Sequence, residues 1–331
     1  MLFLILAKDF IINLIFSKNS KEASIHRLIM KDECMKFYRT IKTNLQMKQL
    51  NKLQMINAIH KFITKRKMRS SDVSSSRNIF FQILLYLFYK NNYKLIANTK
   101  KIKNRHSGQR CFILFTGTSV KNFDFNLIKN EKVIASGMAF LHKNFNESNT
   151  VAYFNPAPWE PRSLLHLDFI SSCIYKNTHK GCDIFFDASA YPYINQITSS
   201  RINDTYFVSN KGNYTSASDI EIDLHEFNNI QEGSLSLGLG ISAYLGFKEI
   251  YLLGQDFLTD PPIYGHFYDG YNEIGNSSDY QLYRERASWM IKDLQSQGCK
   301  VINVVENKMK TSVIDSITFQ DLNELHKECS T

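Results

Sequence analysis

The 331-residue chain has no C-x-x-C pair: its six cysteines, Cys34, Cys111, Cys173, Cys182, Cys299 and Cys329, are scattered. That spacing argues against a zinc site and against a disulfide framework, and reads as reduced, mostly buried thiols in a cytoplasmic protein. The apolar opening, MLFLILAKDFIINLIF, is broken by Lys8 and Asp9 and falls short of the roughly 20 residues that span a bilayer. It lacks a basic n-region and a small-residue cleavage site, which argues against a cleaved signal peptide; a helix packed on a domain and a helix lying in a membrane interface both fit it. The chain has no complete G-x-G-x-x-G, no Walker lysine, no internal repeat and no low-complexity tract. Few aromatics interleave its basic runs and no nucleic-acid-binding motif occurs, so nucleic acid is not expected as a partner.

Against these absences stands a marked charge asymmetry. Residues 1–110 carry 23 Lys and Arg against 5 Asp and Glu, whereas the remainder carries 17 against 26. A basic appendage followed by a mildly acidic domain is the natural reading, with boundaries at 1–105 and 109–331. The first part reads as α-helical: residues 25–68 place apolar residues at three- and four-residue spacing without Pro or Gly, RSSDVSSSRN (69–78) interrupts, and IFFQILLYLFYKNNYKLI resumes. ANTKKIKNRHSGQR then reads as a linker. The Lys/Arg excess suits an anionic membrane face, where each charge adds roughly 1 kcal/mol near the surface; a solvated helix face accounts for it as well.

From Cys111 the pattern changes. RCFILFTGTSV, EKVIASGMAF, TVAYFNPAP, CDIFFDASAY, KEIYLLGQDF and CKVINVVEN read as six short buried strands. Between them lie helices in EPRSLLHLDFISSCIYKN, GSLSLGLGISAYLGF and SSDYQLYRERASWMIKDLQSQ. Alternation of this kind predicts an α/β fold, a doubly wound and mostly parallel sheet.

Three places carry residues suited to chemistry. After the first strand come Thr116, Gly117, Thr118 and Ser119, where a glycine admits a phosphate to the backbone and hydroxyls donate to it; a ligand-free tight turn would look the same. Asn155 ends the third strand before Pro156, placing an amide at the sheet's carboxyl edge to read a sugar or base, or to cap the turn. Third, Ser234 and Ser236 open a helix whose N-terminus favours an anion. Asp256 ends the next strand, and Tyr264, His266, Tyr268 and Asp269 follow in a polar loop. A histidine among tyrosines can take a proton from a sugar hydroxyl while the tyrosines stabilise a departing phosphate; the alternative is a surface histidine.

At these residues, over roughly 111–307, the chain resembles the bacterial sialyltransferases of glycosyltransferase family 42 and the wider group related to archaeal 6-hydroxymethylpterin diphosphokinases. GISAYLGFKEIYLLGQDF is similar to the family's helix and strand ending in small-Gly-x-Asp-Phe, and FTGTSV is similar to its Gly-Asn-Gly-Pro-Ser-Leu loop at Gly117 and Ser119. Phe154, Asn155 and Pro156 resemble its Tyr-Asn-Pro turn, Ser234 matches the serine opening its helix, and Tyr264 falls on one phosphate-facing tyrosine. The chain departs from the family at Gly137, Gln231 and Leu258, where the family has Asn, Arg and Tyr, and the family's catalytic histidine, which lies just before its last helix, has no counterpart in SSDYQLYRER here.

The resemblance implies a Rossmann-like, GT-A-variant sheet domain behind the α-helical N-terminal region. It implies an inverting, metal-independent glycosyltransferase moving sialic acid or a related nonulosonic acid from a CMP donor to a bacterial surface glycan. Gly117, Thr118, Ser119, Asn155, Ser234 and Asp256 would hold the nucleotide, and no D-x-D motif calls for a metal. His266, placed earlier in the chain than the family's histidine, is assigned as base, with Tyr264 and Tyr268 on the leaving phosphate. The expected partners are the CMP-sugar, a glycan or lipid-linked acceptor, an anionic surface on the inner face of the cytoplasmic membrane and a second copy of the chain. Two alternatives stay open: an Mg²⁺-dependent diphosphokinase-like phosphotransferase using Asp256, Asp260 and Asp269, and an inactive membrane-associated scaffold of the same fold.

Overall fold

The computed structural model of the chain describes residues 95–155, 164–187, 199–210, 220, 222–225, 227–228, 233–268, 272–276, 278, 281–306, 311 and 314–328. The basic stretch before residue 95, Pro156 and Asp269 lie outside them, so the helices expected over 25–94 and a membrane role for them rest on sequence alone.

Strands β1 (Arg110–Leu114), β2 (Lys132–Ser136) and β3 (Thr150–Asn155) lead to helix α1 (Leu164–Asn177), then to β4 (Asp183–Asp187), β5 (Thr205–Asn210) and β6 (Phe227–Asn228). Helix α2 (Ser234–Tyr244) returns the chain to β7 (Glu249–Leu253); the hairpin β8 (Ile263–Tyr264) and β9 (Glu273–Ile274) follows, then α3 (Gln281–Ser296), β10 (Lys300–Val305), β11 (Ser316–Thr318) and α4 (Phe319–Glu328). The sheet order is β11-β10-β7-β1-β2-β3-β4-β5-β6, and every neighbouring pair is parallel. The chain lays β1 to β6 outward in one direction, then comes back to the open side of β1 with β7. The α/β, doubly wound expectation holds, and the order reverses between β1 and β7, where such sheets open a crevice beyond the strands' carboxyl ends.

Near-continuous burial along β1, β2, β4, β7 and β10 is what a parallel sheet covered on both faces demands. On one face Cys111, Ile113, Ile134, Phe154, Phe185, Ile250, Leu252 and Val301 pack with Leu235 and Leu239 of α2 and Ala287, Met290, Ile291 and Leu294 of α3. On the other, Phe112 stacks on Tyr251 at 4.8 Å, Phe145 meets Tyr153 edge-on, and Phe123 joins Phe125 to Phe319 of α4. That second face is covered between β1 and β3 by short 3₁₀ turns instead of α-helices.

The small residues of α2 have a packing cause. A Cβ at Gly238 would sit 3.0 Å from the tip of Phe154 and 3.2 Å from Ile113, so the helix backbone lies directly on the rings of β3 and β1.

Residues 98–108 differ from the linker that composition suggested. They clasp the sheet's amino edge: Asn104, His106 and Gly108 donate backbone N–H bonds to Tyr244, Leu245 and Gly246, and His106 stacks on Phe247. Arg105 bonds both carboxylate oxygens of Asp183 at 2.6 and 2.8 Å, and Lys103 lies 3.7 Å from Asp223. Arg110 forks onto Glu131. Lys103, Arg105 and Arg110 are thereby matched by acids within the domain.

One stabilising hub could not be read from pattern. Arg201, 9% exposed, donates to the carbonyls of Thr178 (2.9 Å) and His179 (2.7 Å), with Tyr175 and Cys182 at 3.4 Å. It closes the carboxyl end of α1 onto the turn entering β4. Arg201→Met is expected to lower unfolding free energy by about 2–3 kcal/mol, because buried carbonyls lose a charged donor; urea titration reads it, and a loss under about 0.5 kcal/mol would refute the assignment.

Candidate functional site

The reversal between β1 and β7 brings two loops together. The ladder continues past the strand ends, with Phe115 N–H on Leu253 O (2.8 Å) and Gly117 N–H on Gly254 O (3.1 Å). Gly117 is required here: an added Cβ would fall 2.5 Å from Gly254 O and 2.6 Å from the Asp256 carboxylate. Beyond it, Thr118–Asn122 forms a 3₁₀ turn whose start faces Asp256.

The structure gives Asp256 a different task from facing an open crevice. It is 6% exposed, and its carboxylate accepts the Ser119 N–H (2.8 Å), the Ser119 hydroxyl (2.5 Å) and the Thr118 hydroxyl (3.1 Å). Burial raises its carboxyl above the ordinary range, against the lowering pull of the Ser119 and Thr118 hydrogen bonds. The loop hydroxyls expected to meet a phosphate are thus engaged with a carboxylate, which ties the β1 loop to β7. Asn122 extends the tie to Glu306, beyond β10, at 3.1 Å.

On the outer side of the same β1 loop stands His266. Its Nδ1 lies 2.9 Å from the Thr116 hydroxyl, and Phe267 N–H donates to Thr116 O at 3.0 Å. The exposed His266 ring stacks on Tyr268, itself 38% exposed, with centroids 5.1 Å apart and planes within 10°. Two of the three residues assigned to chemistry are therefore side by side at the carboxyl end of β1. Tyr264 sits half-buried in the β8–β9 hairpin with its hydroxyl end against Gly275, where an added Cβ would come within 2.5 Å of the Tyr264 oxygen.

Asn155 lies at the carboxyl end of β3, 5% exposed, and Ser234 is the half-buried first residue of α2. Gly233 precedes it at φ +132° and gives the helix no side-chain cap. The Tyr283 hydroxyl of α3 lies beside Gly233, and its ring meets Phe257 edge-on at 5.0 Å, which sets the start of α2 at the edge reached by β7. Sequence reasoning missed Tyr283, and it missed Thr116 as the partner of His266. It also missed His142.

His142 is 6% exposed, stacked on Phe125 at 4.5 Å and edge-on to Phe267. Its Nδ1 accepts the Asn144 N–H, and the ring interacts with the backbone at Lys121 and Val120, so it packs the β2 loop against the β1 loop. Burial lowers its pKa below the usual histidine value, as it does for His106. A lowered folded pKa contributes stability that is complete above pH about 6.5 and lost as pH falls below it, with a slope of at most about 1.4 kcal/mol per unit for each ring. Melting temperatures from pH 7.5 to 5.5 should fall, and His142→Gln should flatten that slope; an unchanged slope would refute the assignment.

Among the described residues no group of three or more His, Cys, Asp or Glu is placed to hold a metal ion, and no helix is long and apolar enough to cross a membrane. No protein-family model and no curated protein matches the chain. Among solved structures, the MAf glycosyltransferase from Magnetospirillum magneticum AMB-1 is similar at a TM-score of 0.41 and 12% identity, over 72% of this chain. The chain spans 41% of that structure's length.

Proposed function

We propose that this α/β unit is an inverting, metal-independent glycosyltransferase that moves sialic acid or a related nonulosonic acid from a CMP donor to a bacterial surface glycan. The observation that carries the reading is the Thr116–His266–Tyr268 group, held at the carboxyl end of β1 where the strand order reverses. An exposed imidazole with one nitrogen anchored and an aromatic ring stacked behind it suits proton transfer from an acceptor hydroxyl. Gly117, Asn155 and Ser234 all lie at that edge, and the uncapped start of α2 offers backbone N–H groups to the CMP phosphate. The resemblance of GISAYLGFKEIYLLGQDF and of the Gly117 loop to family 42 sialyltransferases supports the choice of donor. Thr118, Ser119 and Asp256 act in this reading by fixing the loop on which the donor rests.

In the reaction, the acceptor hydroxyl gives its proton to His266 as its oxygen bonds the anomeric carbon. The bond from that carbon to the phosphate oxygen breaks, and CMP departs with the electron pair. Tyr268 stands beside His266, where its hydroxyl can donate to the departing phosphate, and Tyr264 takes that part if the β8–β9 hairpin opens. The basic N-terminal residues would bring the enzyme to the inner face of the cytoplasmic membrane, where lipid-linked acceptors are found.

Thermal-shift binding against CMP, CDP, ATP and GTP, each with and without Mg²⁺, tests the reading. Selective stabilisation by CMP without metal is expected. A response to ATP that requires Mg²⁺ would move the assignment to a diphosphokinase-like phosphotransferase, and silence across the panel would favour the inactive scaffold.

A further inference from the structure

We propose that Lys248 and Cys299 form a reversible covalent bridge when the protein meets hydrogen peroxide. The two residues meet at the amino edge of the sheet, in the turns by which α2 enters β7 and α3 enters β10. Lys248 Nζ lies 3.9 Å from Cys299 Sγ and 3.0 Å from Gln297 O, whose carbonyl keeps the amine beside the sulfur. Cys299 Sγ is itself 3.7 Å from Phe247 O. The backbone that carries both side chains is fixed: Lys248 N–H donates to Gln109 O (2.9 Å), Lys300 N–H to Lys248 O (2.7 Å) and Cys299 N–H to Leu294 O (3.0 Å). Gly298, at φ +79°, makes the sharp turn from α3 that sets the thiol there. The bridge is independent of the proposed transfer reaction, whose residues lie at the opposite edge of the sheet.

Burial and topology single out this thiol. Burial pushes the Cys111 and Cys182 thiols up, which makes them poor nucleophiles, whereas Cys299 keeps 7% of its surface open beside an exposed lysine. A disulfide to Cys111 is out of reach, because β7 lies between β1 and β10. Two strand spacings are about 9–10 Å, beyond the roughly 7 Å between Cα atoms that a disulfide tolerates. The amine of Lys248, on a flexible four-carbon stem, is the group placed to capture an oxidised Cys299.

The chemistry has two steps. Peroxide converts the thiol to a sulfenic acid and releases one water, a two-electron oxidation of the sulfur. The Lys248 ammonium then gives one proton to solvent, and the nitrogen lone pair attacks the sulfur. The sulfur–nitrogen bond forms, the sulfur–oxygen bond breaks, and the hydroxide leaves with a second nitrogen proton as water. Thiol, ammonium and peroxide thus yield a sulfenamide, two waters and one proton, and two equivalents of an added thiol restore the starting side chains while becoming a disulfide. The bridge halts Cys299 at a reversible stage, before the irreversible sulfinic acid. It also ties the α2–β7 turn to the α3–β10 turn across 51 residues of chain, which constrains the unfolded state.

Full-length protein treated with hydrogen peroxide, digested without reductant and weighed by mass spectrometry tests the proposal. The peptide carrying Lys248 should be joined to the peptide carrying Cys299, lighter than their sum by two hydrogens, and should be released by dithiothreitol. Lys248→Arg keeps the positive charge and removes the amine: no cross-link should form, a 1,3-diketone probe should label Cys299 as its sulfenic acid, and sulfinic acid should appear at a peroxide dose that wild type withstands. Oxidised wild type should melt roughly 5 °C or more above the reduced protein, with no such rise in Lys248→Arg. Oxidation of Cys299 without a cross-link, a link to a residue other than Lys248, a bridge that retains oxygen between nitrogen and sulfur, or an arginine variant with the products of wild type would each overturn the proposal. A fully cross-linked protein with an unchanged melting temperature would overturn the stapling role.

Discussion

If the chain is the transferase proposed above, His266→Ala should lower the rate of transfer from a CMP-sialic acid donor by about 10²–10⁴-fold while leaving the fold intact. The magnitude is that of losing a positioned general base. It should appear in kcat and in kcat/KM together, because the proton moves only in the transition state. The fold should survive because His266 is exposed, so that losing contacts such as its hydrogen bond to Thr116 and its ring stack on Tyr268 opens no cavity in either sheet face. The cost in stability should stay near 0.5 kcal/mol. Loss of rate with an unchanged melting temperature would separate a catalytic ring from a structural one. A variant within threefold of wild-type activity would place the base elsewhere and return His266 to the status of a surface histidine. Tyr268→Phe is the informative companion: it preserves the stack behind His266 and removes the hydroxyl, so a large loss there would report on the phosphate and not on the orientation of the imidazole.

How much of this site the sequence made legible depends on the range of the contact. β1, β2, β3, β4, β7 and β10 declared themselves because a sheet covered on both faces demands unbroken apolar runs such as Cys111–Leu114 and Ile250–Leu253. β5 carried a usable signal that was passed over, since Thr205-Tyr206-Phe207-Val208 is rich in strand-forming residues and bounded by Asp204 and Asn210. β6, β8, β9 and β11, at two or three residues each, are too short to hold a period. The small residues of α2 were readable as a close helix–sheet contact, and Gly238 on Phe154 makes that contact. The linker reading of 98–108 failed for a different reason: polar, basic composition describes an exposed surface, and cannot tell a free segment from one whose backbone bonds to Tyr244, Leu245 and Gly246. His266 and Tyr268 were legible as polar residues out of place in a core. Their partner Thr116, and the use of Asp256 by Ser119, were not, because both depend on which strand lies beside β1, and that is decided by topology across more than a hundred residues.

Asp256→Ala should destabilise the protein by about 3–5 kcal/mol, the cost of removing one side of a buried charged hydrogen-bond group and leaving the other. The Ser119 N–H and the hydroxyls of Ser119 and Thr118 would face a void in a place that admits little water, since Asp256 is 6% exposed and Gly117 is packed against it. Asp256→Asn should cost only about 1 kcal/mol at neutral pH: its amide oxygen can still accept the Ser119 N–H, and a hydroxyl can turn to accept from its nitrogen. The two variants also separate packing from charge through pH. Burial holds the Asp256 carboxyl above its ordinary range, so the folded state binds its proton more tightly than the unfolded chain does. The stability this group contributes is complete below the unfolded value of about 3.9 and is lost as pH rises through the folded pKa. Asparagine has no proton to lose there, so the wild-type advantage over Asp256→Asn should narrow as pH rises out of the acid range. Urea titrations of the three proteins at pH 4.5 and 7.0 read both effects, and an alanine variant within 1 kcal/mol of wild type, or a gap that widens with pH, would contradict them.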